Sequence, residues 1–282
     1  MLKQFKNITP AASTFAVCLI ALSENNNNNN NDRLAILRES LKPYRGEKEK
    51  EIREIWERDE AEGFRKLPAR AWPAYQPDQE DIPTILNNLK KQNCTNDDDN
   101  ENILIKKPHL DVCIKATFDL ATALVFNNLD VTKGLKLFKN LADVSNNPDG
   151  MCAYAVVYLE GYGVELNEKL AMKYLKLAIE KHNHSQALYE LGTCYYTGIE
   201  GILEENETLA FEMFEKAAEQ NHVAAKYMCA DMLLEGIGVT IDIPRAIPLL
   251  YSAADQGHRY SRQRMRELLD ECKRNICFMG LH

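Results

Sequence analysis

The sequence has no long apolar run, no excess of basic residues and no recognisable catalytic signature. Its longest apolar stretch, Phe15 to Leu22, is far shorter than the roughly 18 to 20 residues that cross a bilayer as a helix. A formal net charge of −8 provides no broad positive surface for nucleic acid. Nucleophile-elbow, zinc-protease, phosphate-loop and EF-hand motifs are missing. We therefore expect no membrane span in the mature chain, no nucleic-acid partner, no enzymatic activity, no catalytic residue and no cofactor.

The eight cysteines form no CxxC pair, and only Cys272 and Cys277 lie close together in sequence. When the internal copies described below are aligned, Cys152, Cys194 and Cys229 fall at three different positions, so we do not expect them to converge on one metal ion. Free cysteine is among the most buried residue types. We interpret these cysteines as small buried hydrophobic residues and predict no metal site. A cysteine-dependent assembly factor, linked to redox or to a metal, is the alternative.

Residues 1–31 have the composition of a targeting segment followed by a tether. Lys3 and Lys6 precede the apolar stretch, and the first acidic residue is Glu24. This order is typical of a signal peptide cleaved near Ser23. A mitochondrial presequence also fits, although its usual arginines are missing, and a start without any targeting role is the third interpretation. We expect mitochondria or the lumen of the endoplasmic reticulum equally, ahead of the cytoplasm.

Two further segments precede the repeats. Residues 25–31 are all asparagine and cannot bury apolar surface, which predicts a disordered tether. Residues 32–108 combine a charged helix, a proline-rich segment and a polar loop. Within 47–66 the charges alternate in sign around few apolar residues, which predicts a solvated helix with ion pairs four residues apart. The alternative is a binding helix that uses Trp56.

Residues 64–86 contain four prolines, which favour an extended path over a helix. Trp72 and Tyr75 lie in this segment without a regular element of their own, so they pack on the protein's own repeats or dock a partner. A repeat array exposes an apolar face at each end. We predict that residues 64–86 fold back and cap the N-terminal end of the array.

From residue 109 to 275 the sequence repeats itself. Gly161, Gly198 and Gly236 end successive helical patterns after steps of 37 and 38 residues. A period in the mid-thirties made of two helices predicts an all-α solenoid, in which neighbouring hairpins complete each other's core. The predicted units are the copies 113–150, 151–184, 185–222 and 223–258, a terminal helix at 259–275 and a tail at 276–282.

A polar residue marks the turn into each new copy, and three of these residues are histidines. They are Asn147, His184, His222 and His258. Turns one repeat apart lie roughly 10 Å apart when helices stack, which is too far for the imidazoles to share one metal ion. We therefore predict that these side chains cap turns.

The segments ALYELGTCYYTG, YLEGYGV, LLEGIGV, AAEQNH and AADQGH resemble SEL-one-like repeats, which are relatives of the tetratricopeptide repeat. The resemblance covers about residues 110–275. It implies a right-handed superhelix that serves as an adaptor in protein complexes, including endoplasmic-reticulum quality control, organelle assembly and bacterial signalling. The chain departs from the family in two places, because the first copy lacks the glycine turn and Pro248 lies inside a second helix.

The first helix of each copy is expected to line a concave surface. If Ala187 and Leu191 face the core, residues at other helical positions project towards that surface. Exposed tyrosines there would supply contact area to a protein partner of unknown identity. The alternative is that they pack between repeats. The function that we predict is a non-enzymatic adaptor within an organelle complex, its assembly or its quality control. The predicted partner-binding residues are Tyr189, Thr193, Tyr196, Tyr227 and Asp231, together with Trp72 and Tyr75.

Overall fold

The computed structural model describes residues 27–61 and 111–278, and all regular structure in these ranges is helical apart from one isolated bridge between Ile199 and Leu203. Two helices precede the repeats, and a short 3-10 helix, Lys42–Tyr44, links them. The helices are α1 (Asn27–Leu41), α2 (Glu47–Ala61), α3 (Asp111–Phe126), α4 (Val131–Asp143), α5 (Pro148–Glu160), α6 (Glu168–His182), α7 (Ser185–Thr197), α8 (Glu207–Glu219), α9 (Val223–Glu235), α10 (Ile243–Asp255) and α11 (Arg259–Phe278).

Helices α3 to α10 form four hairpins, each of which packs against the next, and α11 packs on α10. This arrangement confirms the predicted all-α solenoid. The terminal helix α11 is longer than expected, since it continues to Phe278. Helix α10 runs through Pro248 without interruption; the residue is exposed and lies near the middle of the helix.

Short polar side chains and glycines set the ends of the hairpin helices. Asn147 begins α5 by accepting a hydrogen bond from the amide of Gly150 at 2.7 Å, and Pro148 at the first helical position has no amide to satisfy. The same helix ends at Gly161, whose φ of 68° lies in the left-handed region that favours glycine. Second helices begin at acceptors of the same kind, namely Asp130, Asn167, Asn206 and Asp242.

The two N-terminal helices pack on the solenoid, whereas the sequence predicted a disordered tether and a solvated helix in this region. Helix α1 begins at Asn27, within the asparagine run that we expected to be a tether, because leucines further along it pack on the solenoid. Leu37 is 2% and Leu41 0% exposed. The charged helix α2 is likewise not a solvated helix, since Trp56 is 1% exposed.

Helices α1 and α2 cover the C-terminal end of the solenoid. Helix α1 packs on α10 and α11, and the Trp56 ring lies 6.4 Å from that of Tyr251. Arg262 of α11 is buried beside the same indole, with its guanidinium carbon 5.6 Å from the ring centre, and it donates to Asp59 at 3.0 Å. The cap predicted at 64–86 for the N-terminal end lies outside the described residues.

Candidate protein-binding surface

Tyr189 of α7 is buried, which corrects the expectation that its ring faces solvent. The residue is 5% exposed. Its ring stacks on the imidazole of His222 in the next repeat, with the ring centres 4.9 Å apart, and lies 5.6 Å from the ring of Phe214. Tyr189 therefore packs between repeats, as the alternative interpretation held, because the first helices lie close enough for one ring to reach the next turn.

Thr193 and Tyr196 follow Tyr189 on α7 and are both partly exposed. The hydroxyl of Thr193 donates to the carbonyl of Tyr189 at 3.1 Å, so it is satisfied within its own helix. Burial raises the pKa of the Tyr196 phenol, and the negative charges of Asp231 and Glu207 raise it further. Tyr196 thus remains a neutral donor near the carboxylate of the neighbouring first helix.

Tyr227 and Asp231 lie one helical turn apart on α9, and both are partly exposed. The Tyr227 ring contacts His258, with 5.0 Å between ring centres, and lies 6.2 Å from Tyr260. Burial raises the pKa of Asp231, while the positive charge of Arg264 lowers it. The structure therefore brings Tyr196, Tyr227 and Asp231 together, and their contact with a partner stays a prediction.

The terminal helix α11 also contributes to this surface, which the repeat pattern did not indicate. Arg264 of α11 lies with its Nε 3.8 Å from Asp231 Oδ1 and donates to Glu235 Oε1. Arg33 of α1 also lies 3.8 Å from the same Glu235 oxygen. The spacing of Tyr260, Arg264 and Glu267 by four and three residues places them on one face of a helix, and this was the signal available in the sequence.

We call this surface the tyrosine–arginine face. It combines partly exposed aromatic rings with one guanidinium group and several carboxylates on three adjacent helices, α7, α9 and α11. Its members are Tyr196, Tyr227, Asp231, Glu235, Tyr260, Arg264 and Glu267. Of the other predicted contact residues, Trp72 and Tyr75 lie outside the described part of the chain.

The predicted turn caps form a row along the edge where each second helix leads into the next first helix. The Nδ1 atom of His222 accepts from the amide of Ala225 at 3.1 Å, and its Nε2 lies 2.8 Å from Gln186 Oε1. His258 accepts from the amide of Ser261 at 3.3 Å. His184 also stands at a helix start, but its side chain instead pairs with Asp149 at 3.1 Å. The capping prediction is confirmed for Asn147, His222 and His258.

Two of these histidines are held neutral. Burial is the main cause that lowers the pKa of His222 to about 4, and the neighbouring imidazoles of His184 and His258, which would repel a proton on His222 when they are protonated, are lesser causes. Burial likewise lowers the pKa of His258 to about 4. A neutral imidazole can accept a backbone hydrogen bond through one nitrogen, which is what the capping contacts require.

The side chains of Cys152, Cys194, Cys229 and Cys272 are buried, which confirms the interpretation of these four as core residues. Cys113 departs from that interpretation, because it is disulfide-bonded. Burial raises the pKa of Cys229 to about 12 and holds that of Cys152 well above its usual value. Thiols in this state carry little thiolate, the nucleophilic form.

Within residues 27–61 and 111–278, no group of three or more His, Cys, Asp or Glu side chains is arranged to hold a metal ion. In the same ranges, no helix has the length and apolar character needed to cross a membrane.

Comparison with known proteins identifies the repeats. Residues 148–183, 185–222 and 223–258 match the family model of the Sel1 repeat. The chain is 37% identical over 99 residues to chitin synthase regulatory factor 2 of Schizosaccharomyces pombe, and the match covers 34% of this chain and 19% of that protein. It is 30% identical over 145 residues to protein SHC1 of Saccharomyces cerevisiae, covering 51% of this chain and 26% of that protein.

A third relative is the ERAD-associated E3 ubiquitin-protein ligase component HRD3 of Candida glabrata, which is 28% identical over 118 residues, or 41% of this chain and 14% of that protein. The chain thus spans about a quarter or less of the length of these three curated relatives. Among solved structures, a Sel1 repeat protein from Oxalobacter formigenes is similar with a TM-score of 0.43 and 30% identity, covering 48% of this chain and 98% of that one. The antigen c5321 of uropathogenic Escherichia coli is similar with a TM-score of 0.49 and 18% identity, covering 85% and 48%.

Proposed function

We propose that this chain, which belongs to the Sel1-repeat proteins, is an adaptor that binds a segment of a partner protein on the tyrosine–arginine face. Its residues 148–258 form three Sel1 repeats. The observation that carries the proposal is the meeting of α9 and α11 at Arg264, which pairs with Asp231 and Glu235 beside Tyr227 and Tyr260. Tyr196 of α7 lies near the same Asp231. Tyrosine and arginine are the residue types that most often dominate protein–protein binding energy.

The state of these side chains suits a contact surface. The three tyrosines are partly exposed. Tyr196 and Tyr227 pack against the core, and the Tyr260 ring contacts those of Tyr227 and His258, so little side-chain entropy remains to be lost on binding. Burial raises the pKa of Tyr227 and of Tyr196, so both phenols are neutral and can donate hydrogen bonds. Arg264 is held by Asp231 and Glu235, which fixes the position of its guanidinium group.

The relatives support the same class of action. Two of their names describe regulation of chitin synthase and membership of a ubiquitin ligase, which are roles exercised through other proteins. We propose that this chain acts in a comparable way within an organelle complex, in its assembly or in its quality control. The name of the HRD3 relative favours the secretory pathway over mitochondria as the location.

Proximity labelling in the source cell, followed by pull-down with purified variants, tests the proposal. The test variant is the double substitution Tyr196→Ala and Tyr260→Ala. The matched control is Tyr162→Ala, an exposed tyrosine in the loop after α5, outside the tyrosine–arginine face. We expect the labelled partner to bind the wild type and the control but not the double variant. A partner that binds all three equally well, with the fold retained by circular dichroism, would exclude this face.

A further inference from the structure

A cavity of about 450 Å³ lies where α2 meets the terminal helix α11, and none of its lining residues belongs to the tyrosine–arginine face. It is lined by Arg45, Gly46, Glu49, Lys50, Arg53 and Lys273. Four of the five charged side chains in its wall are basic. In a chain with a net charge of −8, such a local excess of positive charge needs a reason, because like charges brought together repel one another.

The buried carboxylate of Glu49 holds two of these cations in place. Its side chain is 5% exposed and accepts from Arg53 Nε at 2.9 Å and from Lys273 Nζ at 2.6 Å. Arg53 also donates through Nη2 to Asp270 at 2.8 Å. Side chains fixed in this way lose little entropy when a ligand binds, so Arg53 and Lys273 form a preorganised wall of the cavity.

The remaining two cations are not neutralised. Among the described residues, Arg45 and Lys50 have no acidic partner within ion-pair distance. Gly46 between them has a φ of 73°, and a Cβ built there would meet nothing within 4 Å, so the backbone is open to the cavity. The start of α2 immediately follows, and the first amides of a helix attract anions.

A fifth cation lies near this wall. Two guanidinium nitrogens of Arg38, Nε and Nη2, are buried without a hydrogen-bond partner in the part of the chain that the structure describes. Burial raises the pKa of the Cys272 thiol, while the charges of Arg45 and Arg38 lower it. Both guanidinium charges thus act on Cys272, the residue before Lys273, although only Arg45 of the two lines the cavity. Buried donors without partners are costly, and an anion nearby would offset that cost.

We propose that this cavity, which we call the α2–α11 cavity, binds a small, soluble, multiply phosphorylated molecule. Phosphate groups match the guanidinium and ammonium donors of Arg45, Lys50, Arg53 and Lys273 in charge and geometry. The volume exceeds that of one phosphate ion and accommodates a ring carrying several. An anionic bilayer is a poorer ligand, because the overall charge of the chain is −8 and the other residues of the first two turns of α2 include Glu47 and Glu51.

The cavity joins the N-terminal helices to the end of the solenoid. A ligand that bridges Arg45 and Lys50 to Lys273 would tie α2 to α11, so binding is expected to stabilise the folded chain by mass action. This consequence is independent of the proposed partner surface.

The experiment titrates the purified full chain with inositol hexakisphosphate by calorimetry at physiological salt. The test variant is Arg45→Ala combined with Lys50→Ala. The matched control is Lys169→Ala combined with Lys176→Ala, which removes the same charge from exposed positions on α6. We expect saturable 1:1 binding to the wild type and to the control, and dissociation constants raised about tenfold or more in the test variant. Lys50→Gln alone, at an exposed position, provides a second variant that keeps the fold.

Three outcomes would overturn the proposal. The first is equal weakening in both double variants, which would indicate a general charge effect. The second is equally strong binding of inorganic phosphate at the same concentration, which would exclude a multiply phosphorylated ligand. The third is binding only to phosphatidylcholine vesicles that contain about 5% phosphatidylinositol bisphosphate as the anionic lipid, because the ligand would then be a membrane.

Discussion

Gly192 on α7 and Phe214 on α8 are complementary in size. A Cβ built on Gly192 would lie 2.8 Å from Phe214 Cδ1, well inside van der Waals contact, and Phe214 is fully buried. The equivalent pairs in the neighbouring repeats are Ala155 with Leu175 and Ala230 with Leu250, all of them buried. The second helix therefore carries the larger phenylalanine where the first helix has glycine, and the smaller leucine where the first helix has alanine.

This relationship predicts coupled stability effects. Gly192→Ala is expected to lower the free energy of unfolding by about 1 to 2 kcal/mol, because overpacking of the Phe214 ring outweighs the better helix propensity of alanine. Phe214→Leu alone leaves a void and is expected to cost about 1 to 2 kcal/mol. The double variant recreates the pair of the neighbouring repeats, so we expect it to recover at least about 1 kcal/mol of the summed loss. Urea unfolding of the four proteins measures the coupling, and simple additivity would contradict it.

Trp56 is predicted to hold the N-terminal helices on the end of the solenoid. It is 1% exposed and lies beside Arg262 and Tyr251. Trp56→Ala is expected to lower the free energy of unfolding by about 3 to 5 kcal/mol or to release α1 and α2 locally. Ile55→Ala, one residue away and 37% exposed, is the control and should change stability by about 0.5 kcal/mol or less.

Hydrogen exchange distinguishes the two consequences of the tryptophan substitution. If only the contact with the end of the solenoid is lost, exchange should accelerate in residues 27–61 and in α11, while α5 to α8 remain protected. Uniform protection in both variants would show that the Trp56 contact does not anchor these helices.

The repeats were predictable because their signals are local. Gly161 and Gly236 end first helices at positive φ. The alternation of small and large apolar residues indicates which faces of neighbouring helices pack together. The N-terminal helices were not predictable, because the buried apolar side chains described on α2 are just Ile52 and Trp56. The surface that receives them is built by residues about 200 positions later. Contacts of that separation leave no periodic trace in the sequence.

The binding surface was predictable only in part, because some of its contacts join different repeats. Helical spacing alone placed Tyr227 and Asp231 on one face, and the structure puts them there. It could not show that Tyr189 is covered by His222, since that depends on the distance between successive first helices. Arg264 was missed because a terminal helix has no second copy with which to align it.

The two buried histidines predict a pH dependence of stability. In the folded state the pKa values of His222 and His258 are about 4, whereas an unfolded chain has values near 6.5. Between these values the unfolded state binds more protons, so the free energy of unfolding falls as the pH is lowered from about 6.5 to about 4. Each ring contributes up to about 3 kcal/mol to this loss.

The variant His222→Asn isolates one of these contributions. Asparagine is a good helix cap and occupies the equivalent position at Asn147, so the turn should be retained while the titrating group is removed. We expect the curve of unfolding free energy against pH to be flatter for this variant between pH 6.5 and 4. Parallel curves for the two proteins would show that His222 does not titrate in this range on unfolding.

The buried thiols are predicted to be unreactive in the folded protein, which bears directly on the redox alternative. Burial raises the pKa of Cys152, with Glu190 and Asp149 adding to the effect, and burial and Glu215 raise that of Cys229, partly opposed by Arg245. Alkylation with iodoacetamide at pH 8, followed by peptide mass spectrometry, should leave both residues unmodified in the native chain over the time in which the urea-unfolded chain reacts completely. Since a thiol must be exposed and deprotonated to exchange, rapid labelling of either residue under native conditions would reverse this conclusion.

The variant combining Cys152→Ala and Cys229→Ala tests whether these thiols act in function. We expect it to keep partner binding, and loss of that binding would support the redox alternative.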